Sequence, residues 1–268
     1  MTMVDDGGVS RRSDNPARIR LPEQKRRLAS TAQTSPRRIT DLLRASIRHE
    51  RIVAKDRLPE EVLIRELDTS RSAVRLALQM MADQGLLDRR QRAGTTVSGT
   101  ITRVRDDEIF PLLVDDQGRQ RTTVRRIDDR VLPGVQLLVE QLEISDGGLR
   151  LVEDLVLLDG DPIAVVVSYL ESGANVVASL DGITDVATSF TRTYGVGMGS
   201  VESSVEALPC EAQTARVLGI EEGAPVLVKE MVLRDVYDRA RGICYIHYRG
   251  GAVSLSYGRA LRPSNGDG

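Results

Sequence analysis

Between Leu58 and Val97 the apolar residues recur first at helical and then at strand spacing. Pro59 stands where a first helical turn tolerates it, because its missing N–H has no partner there in any case. Val62, Leu63 and Leu67 follow at helical spacing, and the polar pair Asp68-Thr69 interrupts them. Ser70 is placed to cap a second helix that carries Val74, Ala77, Leu78 and Met81 on one face. Gly85 ends that helix in a left-handed conformation. Leu86-Leu87 and Val97 flank a polar tip, Arg89-Arg90-Gln91-Arg92-Ala93-Gly94, which predicts a two-stranded hairpin. Upstream, Ile39, Leu42, Leu43 and Ile47 mark an amphipathic first helix on which the pair packs. Helix, tight turn, helix and hairpin make a winged helix-turn-helix.

The remaining chain has a different rhythm. Residues 1 to about 35 are rich in Arg, Ser, Asp, Gly and Pro and are expected to be a disordered tail. Within it, Lys25-Arg26-Arg27 reads as a solvated run, with draping along phosphates as the alternative. From Ser98 to about Arg121 the period is lost, which predicts a linker and a first irregular strand. Leu137–Ile144 and Leu149–Leu158 are dense in Val and Leu, and Asp159-Gly160-Asp161-Pro162 signals a turn into a strand over Ile163–Leu170. Short helices are expected at Val176–Leu180, Val186–Tyr194 and Ala212–Leu218, and a strand through Val201, Val205 and Leu208. Pro225–Tyr237, Gly242–Tyr248 and Ala252–Tyr257 read as three closing antiparallel strands. Hairpins with segregated helices give an α/β mixed, α+β fold rather than a doubly wound sheet.

The second helix has the chemistry of a groove reader. Packing of its apolar stripe leaves Arg71, Ser72, Ala73, Arg75 and Gln79 toward the outside. Its N-terminal end offers free N–H groups and a positive dipole end to phosphate oxygens. An Arg in the first turn reaches a guanine edge bidentately, and small Ser72 and Ala73 permit close approach. Arg90 and Arg92 on the hairpin suit backbone phosphate or a minor groove. The alternative is an ordinary helical hairpin with solvated arginines.

These residues carry a resemblance. Arg57-Leu58-Pro59-Glu60, Ser70-Arg71-Ser72-Ala73-Val74-Arg75-Leu76-Ala77-Leu78, Gln84-Gly85-Leu86-Leu87 and Arg89-Arg90-Gln91-Arg92-Ala93-Gly94-Thr95 stand in the order and spacing of the DNA-binding domain of GntR-family bacterial transcription regulators. The resemblance implies that Ser70, Arg71, Ser72, Ala73 and Arg75 contact DNA, with Arg90, Arg92 and Gly94 on the wing. The sequence departs from the family at Glu50, Lys55 and Asp68, where glycines are usual, and at Val62, where an arginine often contacts DNA. Arg92 replaces a frequent wing glycine.

The second half resembles the UTRA effector-binding domain of the HutC-like subfamily, whose fold is shared with chorismate lyase. The resemblance rests on Asp159-Gly160-Asp161-Pro162 with Ser168-Tyr169-Leu170, Leu218-Gly219-Ile220-Glu221-Glu222-Gly223-Ala224-Pro225-Val226-Leu227, and Tyr248-Arg249-Gly250. In regulators of that type that take phosphorylated sugars, arginines before the Asp-Gly turn grip the anion. Here those positions are Asp154 and Val156, and glutamates common further on are replaced by Val166 and Cys244. The implied effector face comprises Asp154, Val156, Val166, Ser168, Ser189, Thr191, Tyr248 and Arg249. It predicts a small-molecule effector that is less anionic and more apolar than a sugar phosphate. The alternative is that Val156 and Val166 only fill a core.

Composition narrows the function classes. The 268 residues, 41% of them hydrophobic, give room for about two domains with real cores. There is no Trp and there are two Phe, so aromatic stacking on single-stranded nucleic acid is poorly supplied. The net charge is −2, yet Lys and Arg outnumber Asp and Glu from Arg37 to Arg92. No apolar run approaches the roughly 18 residues of a membrane span. Cys210 and Cys244 lack metal-type spacing and fit a reducing cytoplasm as buried thiols. His49 and His247 have no metal partner at recognisable spacing. Gly195-Val196-Gly197-Met198-Gly199 precedes a strand pattern, whereas a dinucleotide loop joins strand to helix, so it reads as a turn.

The expectation is therefore a cytoplasmic, effector-responsive regulator, most simply a repressor, binding an inverted repeat in double-stranded DNA as a homodimer. No catalytic residue, metal or cofactor is expected. The domains are a tail (1–35), winged helix-turn-helix (36–98), linker (99–120), UTRA-like domain (121–262) and tail (263–268). The competing reading is a small-molecule binding or lyase-like protein with a vestigial DNA-binding domain.

Overall fold

The computed structural model describes residues 35–90, 94–106, 108–109, 113, 117, 120–142, 148–174 and 186–258. The expected tails, the helix over Val176–Leu180 and the tip residues Gln91, Arg92 and Ala93 lie outside the described residues. The chain divides between Thr100 and Ile101 into two compact units.

The first unit contains α1 (Pro36–Arg48), α2 (Glu60–Leu67), α3 (Arg71–Asp83), β1 (Leu87–Arg90) and β2 (Gly94–Val97). α1 buries Ile39, Leu43 and Ile47, and α3 buries Val74, Ala77, Leu78 and Met81, as the helical spacing predicts. Pro59 sits one position earlier than expected, as the extended cap of α2 (φ −67°, ψ 125°) rather than in its first turn. Glu50, Lys55 and Asp68 have φ of 53°, 73° and 46°. The three usual glycine positions thus keep their left-handed backbone with a side chain present, at a strain of about 1 kcal/mol each.

Both ends of α3 are closed by local chemistry. The Ser70 hydroxyl accepts from the Ala73 N–H at 3.2 Å. At the other end Gly85 has φ 73°. Its N–H donates to the Ala82 carbonyl at 2.9 Å, and the Leu86 N–H donates to Met81 at 3.0 Å, the paired bonds of a Schellman end. β1 and β2 form the hairpin, from Leu87 opposite Val97 to Arg90 opposite Gly94. The chain before α2 adds to it: the Lys55 N–H donates to Val97 at 2.8 Å and the Leu58 N–H to Thr95 at 2.9 Å.

The second unit runs β3 (Thr102–Arg105), β4 (Thr122–Pro133), α4 (Gln136–Gln141), β5 (Gly148–Leu158), β6 (Asp161–Glu171), α5 (Val186–Tyr194), β7 (Met198–Pro209), α6 (Ala212–Leu218), β8 (Pro225–Asp235), β9 (Ala240–Arg249) and β10 (Val253–Ser256). Six strands form one sheet in the order β4-β5-β6-β9-β8-β7, with each neighbouring pair antiparallel. Asp159 (φ 52°) and Gly160 (φ 92°) make the β5–β6 turn. Two positive φ values match the type I′ geometry that the strand twist favours.

The final strand departs from expectation. β10 pairs in parallel with β3, not antiparallel with the closing strands. β9 already has β6 on one edge and β8 on the other, so no free edge remains for it. The segment after the wing therefore holds a regular strand, β3, rather than an irregular one. β4 was not legible as a strand because Arg and Asp interrupt its alternation, which an edge strand with a solvated face tolerates.

Strand alternation sorts the sheet into two faces. One carries Val156, Ala164, Val166, Ile246, Tyr248 and Met231, packed with Phe190 of α5 and with Val104 and Val253 of the β3–β10 pair. The other holds two clusters, one with Ala215 and Leu218 of α6 and one with Leu138 of α4 and Leu142 at its C-terminal cap.

At one end of the sheet Asp235, buried, accepts from the N–H groups of Tyr237 (2.9 Å) and Arg239 (3.0 Å) and from Arg241 Nε (2.7 Å). Arg239 and Arg241 both reach Glu171, at 2.8 and 3.2 Å. Burial alone raises the Asp235 carboxyl, but Arg241 and the two amides together outweigh it and hold it below the usual carboxylate range. A lowered folded-state pKa stabilises above the unfolded pKa and loses that effect as pH falls through the folded value. Asp235→Asn is therefore expected to melt below the wild type at pH 7, with the gap closing below about pH 4. Thermal melts across pH 3–7 (on the order of four steps) check it; a gap independent of pH contradicts it.

Candidate nucleic-acid interface and effector face

α3 presents its arginines outward. The side chains of Arg71 and Arg75 are 61% and 64% exposed, and Ser72 and Gln79 share that side. Ala73 does not: it is buried. It lies one turn before Ala77, so at about 100° per residue it falls on the apolar stripe beside Val74. The expected outward set loses Ala73 for this reason. Leu76 takes an outward place, 53% exposed. Composition hid it, because a leucine among apolar residues reads as core until the helical phase is known.

The cationic groups are held by carboxylates of α2. Arg71 pairs with Glu61, and Arg75 Nε lies 3.6 Å from Glu60. Ser70 meets the Ser72 hydroxyl at 3.0 Å while capping the helix, so its oxygen already has a structural duty. Arg90, largely exposed, pairs with Asp88 at 2.8 Å. Gly94 adopts φ 92°, where a side chain is strained. Arg92 lies outside the described residues.

Arg89, part of the charged tip in sequence, is a positioning group in the structure. Its side chain is 24% exposed. It donates to the Arg75 carbonyl (3.3 Å), to Gln79 Oε1 (3.0 Å) and to Glu60 (3.3 Å). One guanidinium thus ties wing, α3 and α2 together, and its planar fork of donors suits three acceptors at once.

The second unit brings together only part of the expected effector set. Arg126, Asp154, Val166, Ile246 and Lys229 lie on one rung across β4, β5, β6, β9 and β8. Val156 and Tyr248 are on the adjoining rung, and Ser168 faces Cys244 on the other side. Val156, Val166 and Tyr248 are buried in the core cluster, and the Tyr248 hydroxyl donates to the Ile109 carbonyl. Asp154 is paired with Arg126 at 2.6 Å, which also reaches Asp129 at 2.9 Å. Asp129 in turn binds Arg150 at 2.7 Å. Ser189 and Thr191 are on α5, where the exposed Thr191 hydroxyl donates to its own helix at Ala187, 2.9 Å away. Arg249 is separated from the rest, because it follows Tyr248 on β9 and alternation turns it to the opposite face.

Burial moves both cysteines and one histidine of the second unit away from their ordinary values. Burial pushes the Cys244 thiol up to about 11, against the Ser168 hydroxyl, which donates to Sγ at 3.4 Å. Burial also raises Cys210 and lowers His247. His49 caps the end of α1 at the surface. Among the described residues no group of three or more His, Cys, Asp or Glu is placed to hold a metal ion. No described helix is long and apolar enough to cross a membrane.

Comparison with known proteins assigns a family profile to each unit. The family profile "Bacterial regulatory proteins, gntR family" matches residues 36–97, and the "UTRA domain" profile matches residues 117–254. The HTH-type transcriptional regulator Rv0792c of Mycobacterium tuberculosis is 30% identical over 227 residues, covering 79% of this chain and 80% of that protein. The crystal structure of PhnF from Mycobacterium smegmatis superposes with a TM-score of 0.54 at 17% identity, over 84% of this chain and 100% of that one, which speaks for the fold alone. The chain belongs to the GntR family of bacterial transcription regulators, as a DNA-binding regulator with a UTRA effector domain, an architecture consistent with the HutC-like subfamily.

Proposed function

We propose that the chain acts in the cytoplasm as a homodimeric repressor, each copy reading half of an inverted repeat in double-stranded DNA. Residues 36–98 form the reader, 99–120 the linker and 121–262 the effector domain. The observation that carries this reading is the pair Arg71 and Arg75, exposed side by side on a helix capped at Ser70 and braced by the wing through Arg89. Arg71 in the first turn is assigned to a guanine edge, Arg75 and Arg90 to phosphate, and Leu76 to a thymine methyl. Glu60 and Glu61 occupy the guanidinium groups in the absence of DNA, so binding exchanges a carboxylate for a phosphate or base edge. Two-fold symmetry supplies two such readers, since one small winged helix buries modest surface.

The effector residues are assigned as Asp154, Ser168, Ser189 and Thr191, with Val156 and Val166 as apolar neighbours of Asp154 on the sheet. Asp154 stands where sugar-phosphate regulators carry an arginine, and its partner Arg126 is held by two carboxylates. That arrangement favours an apolar, weakly charged molecule over a phosphate ester. The regulator reading requires no catalytic step.

Duplexes selected from a random pool by the full chain provide the test. Arg71→Ala is expected to weaken the selected site by about 1–3 kcal/mol per half-site and to relax base preference there; an unchanged preference removes Arg71 from the readout. Arg90→Ala is expected to weaken all sequences alike and to lower the slope of log affinity against log salt by about one contact. An unaltered slope places Arg90 away from the backbone. Calorimetric titration with glucosamine 6-phosphate is expected to show no saturable micromolar binding, and such binding overturns the apolar-effector reading.

A further inference from the structure

Two polar side chains of the effector sheet reach out to the main chain of the segment that follows β3. Lys229 of β8 is fully buried, and its Nζ donates to the carbonyl oxygens of Asp106 and Glu108, the latter at 3.0 Å. Tyr248, also fully buried, donates through its hydroxyl to the next carbonyl of that segment, Ile109. The segment folds on itself as well: the Arg105 N–H donates to Glu108 Oε2 at 2.9 Å and the Glu108 N–H to the Arg105 carbonyl at 3.2 Å.

The choice of residue at these two places is informative. The neighbours of Lys229 on the same face of β8 are Leu227, Met231 and Leu233, and an apolar residue would serve that packing better. Burying an ammonium carries a desolvation penalty that acceptors of fixed geometry must offset. Here those acceptors include two carbonyls from residues more than a hundred positions away, so the bond orients distant main chain as well as satisfying the lysine. A hydrogen bond to a charged donor is stronger than a neutral one.

The position of the grip along the chain gives it a consequence. Ser98 and Gly99 donate to the Leu86 carbonyl of the first unit, at 3.0 and 3.2 Å, whereas the Thr102 N–H donates to Ala252 of the second, at 2.7 Å. Thr100 and Ile101 alone separate these two sets of bonds. β3 then leads directly into Asp106. In the sheet, Lys229 shares its rung with Asp154 and Val166, and Tyr248 shares its rung with Val156.

We propose that Lys229 and Tyr248 are positioning residues of the DNA response: they hold the main chain of Asp106, Glu108 and Ile109 on the effector face, and occupancy of that face reaches the linker through them. The inference rests on the effector reading given above and names the groups that transmit it.

Lys229→Met and Tyr248→Phe in the full chain test it, with Tyr248→Phe removing only a hydroxyl should the lysine variant fail to fold. Amide hydrogen exchange reports the grip. Duplexes selected by the wild type, with half-site separation then changed by about one or two base pairs, report its effect on DNA. The Arg105 and Glu108 amides are expected to exchange about tenfold faster in the variants, while β8 and β9 stay protected. Preference for the selected spacing is expected to fall at least about threefold while affinity for a single half-site is unchanged. Wild-type exchange in Tyr248→Phe overturns the grip, and faster exchange with undiminished spacing preference reduces it to a structural bond. A wild-type chain that selects no duplex overturns the DNA-reading proposal, and this inference with it.

Discussion

Each inner strand of the six-stranded sheet has two faces, and neither can be left in water. On β6, β8 and β9, buried residues occur at both parities, so cover is needed above and below. α4 and α6 provide it on one side. On the other, α5 and the β3–β10 pair share the work, with Phe190, Val104 and Val253 closing over Val166, Ile246 and Tyr248. β3 is the strand that follows the wing, so the cover of that face of the sheet is made in part from the chain that leads out of the first unit. Hydrophobic burial, roughly proportional to the apolar area removed from water, thereby ties the chain just after the wing into a core.

The first unit is governed by a different constraint, the disposal of several like charges on one surface. Arg71, Arg75 and Arg89 converge on one region, and Glu60 and Glu61 keep them from repelling one another. Exposed ion pairs are individually weak, typically below about 1 kcal/mol, so Arg71 and Arg75 exchange partners readily. Arg89, less exposed and bound to two acceptors beyond Glu60, is the group that stays. Weak pairs thus lie on the exposed face of α3, and the firmer one lies where the wing meets that helix.

The two units also differ in how they manage turns. The first keeps left-handed backbone at Glu50, Lys55 and Asp68 without glycine, at some expense in strain. The second places Asp159-Gly160 in the tight hairpin that sets the register of Asp154 against Val166 and of Val156 against Ala164. A one-residue slip there would send each of these side chains to the opposite face.

Local physics was legible directly from the residues. The cap at Ser70, the stop at Gly85, the core stripe of α3, the hairpin at Asp159-Gly160 and the span of α6 depend on near neighbours and fixed periods. What depends on distant partners was not. Ala73 went to the core because helical phase decides a small residue that composition leaves open. β10 found β3 because β9 had no edge left. Arg249 and Tyr248, adjacent in sequence, were parted by strand alternation once β9 was established as regular. Lys229, one charge among many along the chain, became the support of distant main chain only when folding brought residues 106 and 108 to it. Sequence determines the elements because their energetics are local; which edge, face or backbone carbonyl each one meets is decided by closing the whole sheet.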